Sequence, residues 1–418
     1  MTPSAKSSQA SMPFIMATVL IDMLAIGIII PVLPAMVGSF TSSQTDQAYW
    51  YGVVAFSFGL ANFIASPILG ALSDQYGRRS ILLLGFLGLC ISFYGTAMAT
   101  SLWVLISVRT VAGAMQANIS IANAYVADFT PPEKRTKNFG MLGAMQGLGF
   151  IVGPVMGGLL GAINLHLPFL VAGVLASANL VYGYFVLPES LAKDKRQAFQ
   201  LRAANPWAAL QRLTALKGVG SLVGVVAFSG LAQFMLYTTW VLYTTFKFGW
   251  GPLENGWSLA AVGVVSVIVQ GFLLGKLLKF FAPQTLAILG LISSALAYLF
   301  WGVAYEGWMM FAVIGVNFLG FTVTAAVNSM ISSAADASSQ GATLGAVSSL
   351  NSLMAVLAPL IGAPLLVLVS HLPKGDWRIG APFYFCAALQ LVSMLLAVYH
   401  FRKNNRGTRN HARLPTHD

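Results

Sequence analysis

Charge is what this sequence has least of. Lys, Arg, Asp and Glu make up 8% of 418 residues, and only 12 of those residues are acids. A soluble chain of this length needs far more charged surface to stay dispersed, whereas helices facing lipid need none. With 57% of residues apolar, the sequence reads as a polytopic membrane protein. Cysteine is nearly absent too. Cys90 and Cys386 each lie in an apolar run and read as small core residues, which leaves no disulfide framework and no metal-ligand set. His166, His371, His400, His411 and His417 fall in loops, at a span end or in the C-terminal tail. No nucleophile elbow, paired metal ligands or phosphate-cradling loop accompanies them, so a membrane-embedded enzyme is disfavoured. No removable signal peptide is expected, because Pro13 leads into a hydrophobic stretch too long for a signal core.

Long hydrophobic runs are what the chain has in abundance. A membrane span needs about 20 mostly apolar residues, and that length gives twelve candidates at 14–37, 51–73, 81–100, 102–127, 139–162, 167–187, 219–246, 256–280, 284–305, 307–332, 341–370 and 379–401. The long polar stretch 188–217 divides them six and six. The expected organisation is an all-α fold with one six-helix bundle over 1–187, a cytoplasmic linker loop over 188–217, a second bundle over 218–402 and a basic tail over 403–418.

A net charge of +11 raises the question of a polyanionic partner. Placement of the cations answers it. With the N-terminus inside, Lys6, Arg78, Arg79, Lys134, Arg135, Lys137, the linker cations, Lys276, Lys279 and the tail arginines share one side, and only Lys247, Lys374 and Arg378 lie opposite. That asymmetry orients both termini to the cytoplasm and explains the charge through the positive-inside rule. No compact basic domain is present, so nucleic acid is not expected as a partner.

The two halves also repeat. Gly70 to Gly85 (GALSDQYGRRSILLLG) and Gly275 to Gly290 (GKLLKFFAPQTLAILG) have equal length and are offset by 205 positions; at the same offset Pro154 maps to Pro359 and Gly157 to Gly362. A parallel duplication puts a transport site near the midplane and implies that one half rocks against the other.

These strings resemble a known family. GALSDQYGRR (70–79) is similar to the loop between the second and third helices of the major facilitator superfamily, and GLGFIVGPVMGG (147–158) to the antiporter motif of its fifth helix. AIGIIIPVLP (25–34) resembles the first-helix motif of the twelve-helix drug/proton antiporters. DMLAIGIIIPVLP, WVLYTTFKFGW (240–250), AYEGW (304–308) and SQGATLGAVSSL (339–350) are similar to strings of the tetracycline-resistance exporter subgroup. The resemblance implies two pseudo-symmetric six-helix bundles working by alternating access, with no cofactor beyond a proton gradient, in a bacterial inner membrane, and as a monomer.

Each motif has a physical reading. Gly70 is expected to allow close helix approach and Gly77 a tight turn, while Asp74, Arg78 and Arg79 place opposite charges at a helix junction. The resemblance implies a cytoplasmic gate in which the acid caps the eleventh helix near Ser338, Ser339 and Gln340, and the arginines reach Asp128 at the end of the fourth. A plain positive-inside loop is the simpler alternative. In the fifth helix Gly149, Gly153, Gly157 and Gly161 recur every four residues beside Pro154 and Gly158, forming a ridge that lets backbones approach. Generic helix packing is the alternative there.

Arg109, well inside the fourth span, shares a predicted helical face with Gly113, Gln116, Ser120 and Asn123. The stripe suits a wet cavity, and the resemblance implies a part in proton coupling; the alternative is an arginine that snorkels to the headgroups. Asn317, Thr324 and Asn328 form a similar stripe in the tenth helix, and Gln233, Tyr237, Trp240 and Gln270 are expected to complete a substrate cavity. Asp22 interrupts the first span, where insertion scales set an acid at about 2.5–3.5 kcal/mol unfavourable. Facing a central cavity, it would serve as a proton switch for which a cationic cargo competes, with Thr18 one turn away in bonding reach. The alternative is a structural acid satisfied by neighbouring helices.

Departures from the tetracycline exporters matter too. Ser92, Ser294 and Ser266 stand where those relatives carry acids in the third and ninth helices and a histidine in the eighth. The expectation is therefore a proton-coupled exporter of amphipathic small molecules, tetracycline-like or multidrug, partnered by protons and a lipid bilayer. A proton-coupled importer of a siderophore, peptidoglycan fragment or similar metabolite is the alternative on the same scaffold.

Overall fold

The structure, a computed structural model, describes residues 4–130, 132–196, 220–334 and 340–411. Among them twelve helices are long and apolar enough to cross a bilayer. Numbered in chain order, the spans are Met12–Ile29, Gln44–Tyr76, Arg78–Ala97, Leu102–Asp128, Asn138–Ile163, Leu167–Val186, Ser221–Phe248, Pro252–Phe280, Pro283–Val303, Gly307–Ile331, Ala346–Val369 and Trp377–Lys403. Helices are the natural outcome, because hydrocarbon offers backbone N–H and C=O groups no partner outside the segment.

Local chemistry sets several boundaries. The Ser43 hydroxyl accepts from the backbone N–H of Asp46 at 3.0 Å and caps span 2. Gly77, at φ 102°, is the single residue between span 2 and span 3, a left-handed turn that other residues adopt with strain. The first span is shorter than the expected 14–37. It ends at Ile29, and the chain restarts as a short helix, Leu33–Gly38, because Pro31 and Pro34 have no backbone N–H with which to continue the ladder.

Three spans are not regular along their length. Span 4 is two helices, Leu102–Met115 and Asn118–Phe129, joined through Gln116 in extended conformation. Span 8 contains a π-helical segment at Val269–Leu273, and span 10 a 3-10 segment at Asn317–Thr322.

The chain forms two compact units. The first comprises 1–206, 240–267 and 363–376; the second 207–239, 268–362 and 377–418. Inside the first, spans 1 and 5 meet through small residues. A Cβ on Gly153 would stand 2.7 Å from the Gly27 Cα, and one on Gly157 would overlap the Ile28 carbonyl. The other side of span 5 meets span 8, where a Cβ on Gly158 would lie 2.7 Å from the Pro252 carbonyl and one on Gly256 would strike that of Pro154. Between lipid-compatible surfaces the hydrophobic effect adds little, so this close backbone approach carries the association. The helix runs through Pro154 without interruption.

In the second unit a Cβ on Gly290 would stand 2.6 Å from Val323 and 2.8 Å from the Leu319 carbonyl, where span 10 changes its winding. The first unit repeats this arrangement. Gly85, 205 positions earlier, makes room for the Asn118 side chain at the break in span 4.

Candidate functional site

Asp22 lies in the interior of span 1 and is 3% exposed. Ile15, Val19, Met23, Leu82, Phe86, Ile119 and Ala122 enclose it together with Thr18 and Asn118 around a void of about 10 Å³. By that measure one water needs about 10–15 Å³, so the void is of single-water size. Its polar partner is Asn118, whose Nδ2 donates to Asp22 Oδ1 at 3.0 Å. Thr18 shares the void but does not bond the acid. Its hydroxyl has no partner among the described residues, and its carbonyl accepts from Asn179 Nδ2 at 3.0 Å.

The break in span 4 supplies that partner. Asn118 is the first residue of the helix Asn118–Phe129, so its side chain and the positive end of a half-helix dipole face the carboxyl group. The carbonyls released at the break find a donor in span 2: Asn62 Nδ2 donates to Gln116 O and, at 3.4 Å, to Gly113 O. Gly113 is packed so tightly on span 2 that a Cβ there would strike the Phe58 carbonyl.

Two expectations are corrected here. Asp22 borders a void of single-water size between side chains of spans 1, 3 and 4 rather than a cavity with room for cargo, which departs from the expected contact of cargo with the carboxylate. The continuous stripe from Arg109 to Asn123 does not form either, because the break rotates the second half of the span. Gly113 faces span 2, Gln116 is half-buried at the junction, Ser120 is exposed and Asn123 half-buried.

Arg109 points into the bundle rather than towards headgroups. It is 9% exposed, donates from NH1 to Ser92 Oγ at 3.3 Å and stacks 4.6 Å from the Phe58 ring centroid. Ser92 receives the arginine as a neutral acceptor. No ion pair joins Arg109 to Asp22 among the described residues.

The second unit holds a larger cavity of about 210 Å³. Gln233, Tyr237, Thr324 and Asn328 line it as the sequence suggests, joined by Ser294, Asn351 and Gln390, which sequence reasoning did not select. Trp240, Gln270 and Asn317 do not line it. Trp240 is buried in the first unit, donating from Nε1 to Ser258 Oγ at 2.9 Å. Asn317 accepts from Ser293 Oγ at 2.9 Å between spans 9 and 10, and Gln270 is exposed on the π-helical segment of span 8.

At the junction of spans 2 and 3, Arg78 NH1 lies 2.6 Å from Asp74 Oδ1 and from Ser73 Oγ, and Arg78 Nε lies 3.3 Å from Asp128 Oδ2. Arg79 does not reach Asp128. It donates to the Tyr184 carbonyl and lies over the Tyr184 ring. Glu189, also unselected from the sequence, accepts from the Arg78 backbone N–H at 2.9 Å and caps span 3, and stands 3.9 Å from Arg196. Among the described residues nothing stands within 4 Å of a Cβ built on Gly70, so the expected close approach there is not made by any of them. Ser338 and Ser339 and the Gln340 side chain lie outside the described residues.

The sequence profile of the Major Facilitator Superfamily matches residues 15–359 and 222–416. This chain belongs to that superfamily. Among its relatives, the class C tetracycline resistance protein of Escherichia coli is 35% identical over 371 residues, covering 88% of this chain and 93% of the relative. The class B protein of Escherichia coli is 31% identical over 382 residues, covering 90% and 94%. Among solved structures, the human organic anion transporter MFSD10 superposes with a TM-score of 0.71 at 22% identity over 95% of this chain and 100% of that one. The nucleoside transporter NupG superposes with a TM-score of 0.73 at 13% identity over 93% and 98%. Both share the major facilitator fold. The expected fold class, two pseudo-symmetric six-helix halves of an all-α, multi-pass transporter, is that of the family. Membership makes this chain a transporter of small molecules.

Proposed function

We propose that this protein is a proton-coupled exporter of amphipathic small molecules in the bacterial cytoplasmic membrane, with both termini inside, working by alternating access as a monomer and without a cofactor. The observation that carries the reading is Asp22: the one acid in the interior of a described span, kept away from lipid and held at the junction of a broken helix. An ionisable group inside a span, with no ion pair among the described residues, is a functional candidate by default. The 35% identity to a tetracycline resistance protein supports export over import.

Protonation and the geometry of span 4 are linked through one bond. An ionised Asp22 accepts from Asn118 Nδ2; a protonated one becomes a donor, and Asn118 Oδ1, which packs against Gly85 and has no partner among the described residues, receives that proton's bond once the amide turns. Span 1 is in turn locked to span 5 from Met23 to Ile28 by Gly149, Gly153 and Gly157. A change at Asp22 therefore reaches spans 4 and 5 without cargo touching the carboxylate. On the proposed cytoplasmic face, Arg78 bridging Asp74 and Asp128 supplies a charge-assisted clasp.

A growth-inhibition panel over many drug classes tests the function. Cells expressing the intact protein are expected to resist at least one amphipathic compound, tetracycline being the first to try, and cells expressing Asp22→Asn at equal level to lose that resistance. Increased sensitivity of the wild-type cells to the same compounds would instead support uptake.

A further inference from the structure

The two halves carry the same packing device but have kept different chemistry behind it. At the 205-residue offset Asp22 corresponds to Ala227 and Asn118 to Val323, while the glycine that receives the irregular span, Gly85 or Gly290, is retained. The acid and its amide are gone from the second unit. In their place is the cavity of about 210 Å³, against about 10 Å³ beside Asp22. It has room for a ring system of an organic molecule, where the other has room for water.

Its chemistry is uniform. Every polar side chain lining it is an amide or a hydroxyl, and none is charged among the described residues. One of them is left wanting. Gln390, on span 12, is 3% exposed, its amide engages the Tyr298 hydroxyl, and its Oε1 has no hydrogen-bond partner among the described residues. A buried acceptor with no donor costs about 1–3 kcal/mol. Asn351 and Asn328 line the same wall.

We infer that this cavity is a docking site for an uncharged hydrogen-bonding edge of the cargo, an amide, phenol or hydroxyl N–H or O–H that donates to Gln390 Oε1. The inference rests on the transporter reading and deepens it: the first unit takes the proton, the second takes a neutral face of the molecule, and no cationic group of the cargo is read by an acid. Cargo recognition and proton binding are then separate in space. Selection follows hydrogen-bond donors rather than positive charge.

Equilibrium binding to the full-length protein in lipid nanodiscs, with no proton gradient, tests the site independently of coupling. The probes are chloramphenicol, which is uncharged and carries an amide and two hydroxyls, and tetraphenylphosphonium, a cation with no donor. Chloramphenicol is expected to bind, about tenfold more weakly to Gln390→Leu. Tetraphenylphosphonium is expected to bind Gln390→Glu and not the wild type, a gain that misfolding does not produce. The inference is overturned if chloramphenicol fails to bind, if Gln390→Leu binds it as well as the wild type, or if the wild type binds tetraphenylphosphonium in a manner that Asp22→Asn abolishes. Failure of the exporter reading shows differently, as binding intact at Gln390 with no gradient-driven movement of the same probe.

Discussion

An isolated carboxyl group inside a bilayer protein needs a partner that serves both of its protonation states, and beside Asp22 stands Asn118, with its donor engaged and its acceptor without a partner among the described residues. Replacement of Asn118 by Leu removes both. Gradient-driven transport is expected to fall about tenfold or more, in line with the cost of leaving a buried polar group unmatched, while equilibrium cargo binding stays near wild type; flux and binding measured on the same preparation check this. Asn118 is a positioning residue, and an equal loss of binding and flux would mean that it merely holds the fold. Of this arrangement, Asp22 was legible in the sequence because an acid inside a hydrophobic run is conspicuous. Asn118 was not, because on one continuous helix it lies off the face shared by Arg109, Gln116 and Asn123. The signal lay in another span: Asn62, whose amide has a purpose only if carbonyls are released opposite it.

At the scale of elements, glycines that look alike in the sequence separate by what surrounds them. Gly157 faces the Ile28 carbonyl and Gly70 faces open space. Gly157→Ala is expected to destabilise the protein by about 1–3 kcal/mol and to impair transport, while Gly70→Ala stays within about 0.5 kcal/mol; melting temperatures in detergent compare the two directly. Spacing identified the ridge on span 5 and named its residues, yet only the structure shows that one face meets span 1 and the other span 8. The cap on span 3 adds a further test. Glu189→Ala removes the acceptor of the Arg78 N–H and an anion from a helix N-terminus, for an expected loss of about 1 kcal/mol. Its place after Pro188, at the start of the linker, gave no hint that it returns to the spans 2–3 junction. The break in span 4 was hidden for a related reason: no proline marks it, and tertiary contacts with Asn62 and Gly85 hold it open.

On the scale of the whole molecule, hydropathy alone located twelve spans, since a bilayer demands about 20 apolar residues at each crossing. The internal repeat was legible in Gly, Pro and aliphatic positions because those residues fix backbone approach, which both halves share. What the halves do not share was beyond the sequence pattern. The neutral cavity of the second unit depends on Asn351 and Gln390 converging from spans 11 and 12 with Gln233 from span 7, residues scattered through the sequence that no periodicity joins. The void beside Asp22 is of single-water size, whereas the cavity of the second unit has room for part of an organic molecule. In the proposed function, coupling runs instead through spans 1, 4 and 5 of the first unit.

The most direct test of that coupling is proton movement in everted membrane vesicles acidified inside, followed with a quenched acidity-sensitive dye. A drug chosen from the growth panel, added outside, is expected to relieve quenching as protons leave in exchange for entering cargo, and vesicles carrying Asp22→Asn are expected to give no relief at equal protein level. Relief of the same size with Asp22→Asn would contradict the account.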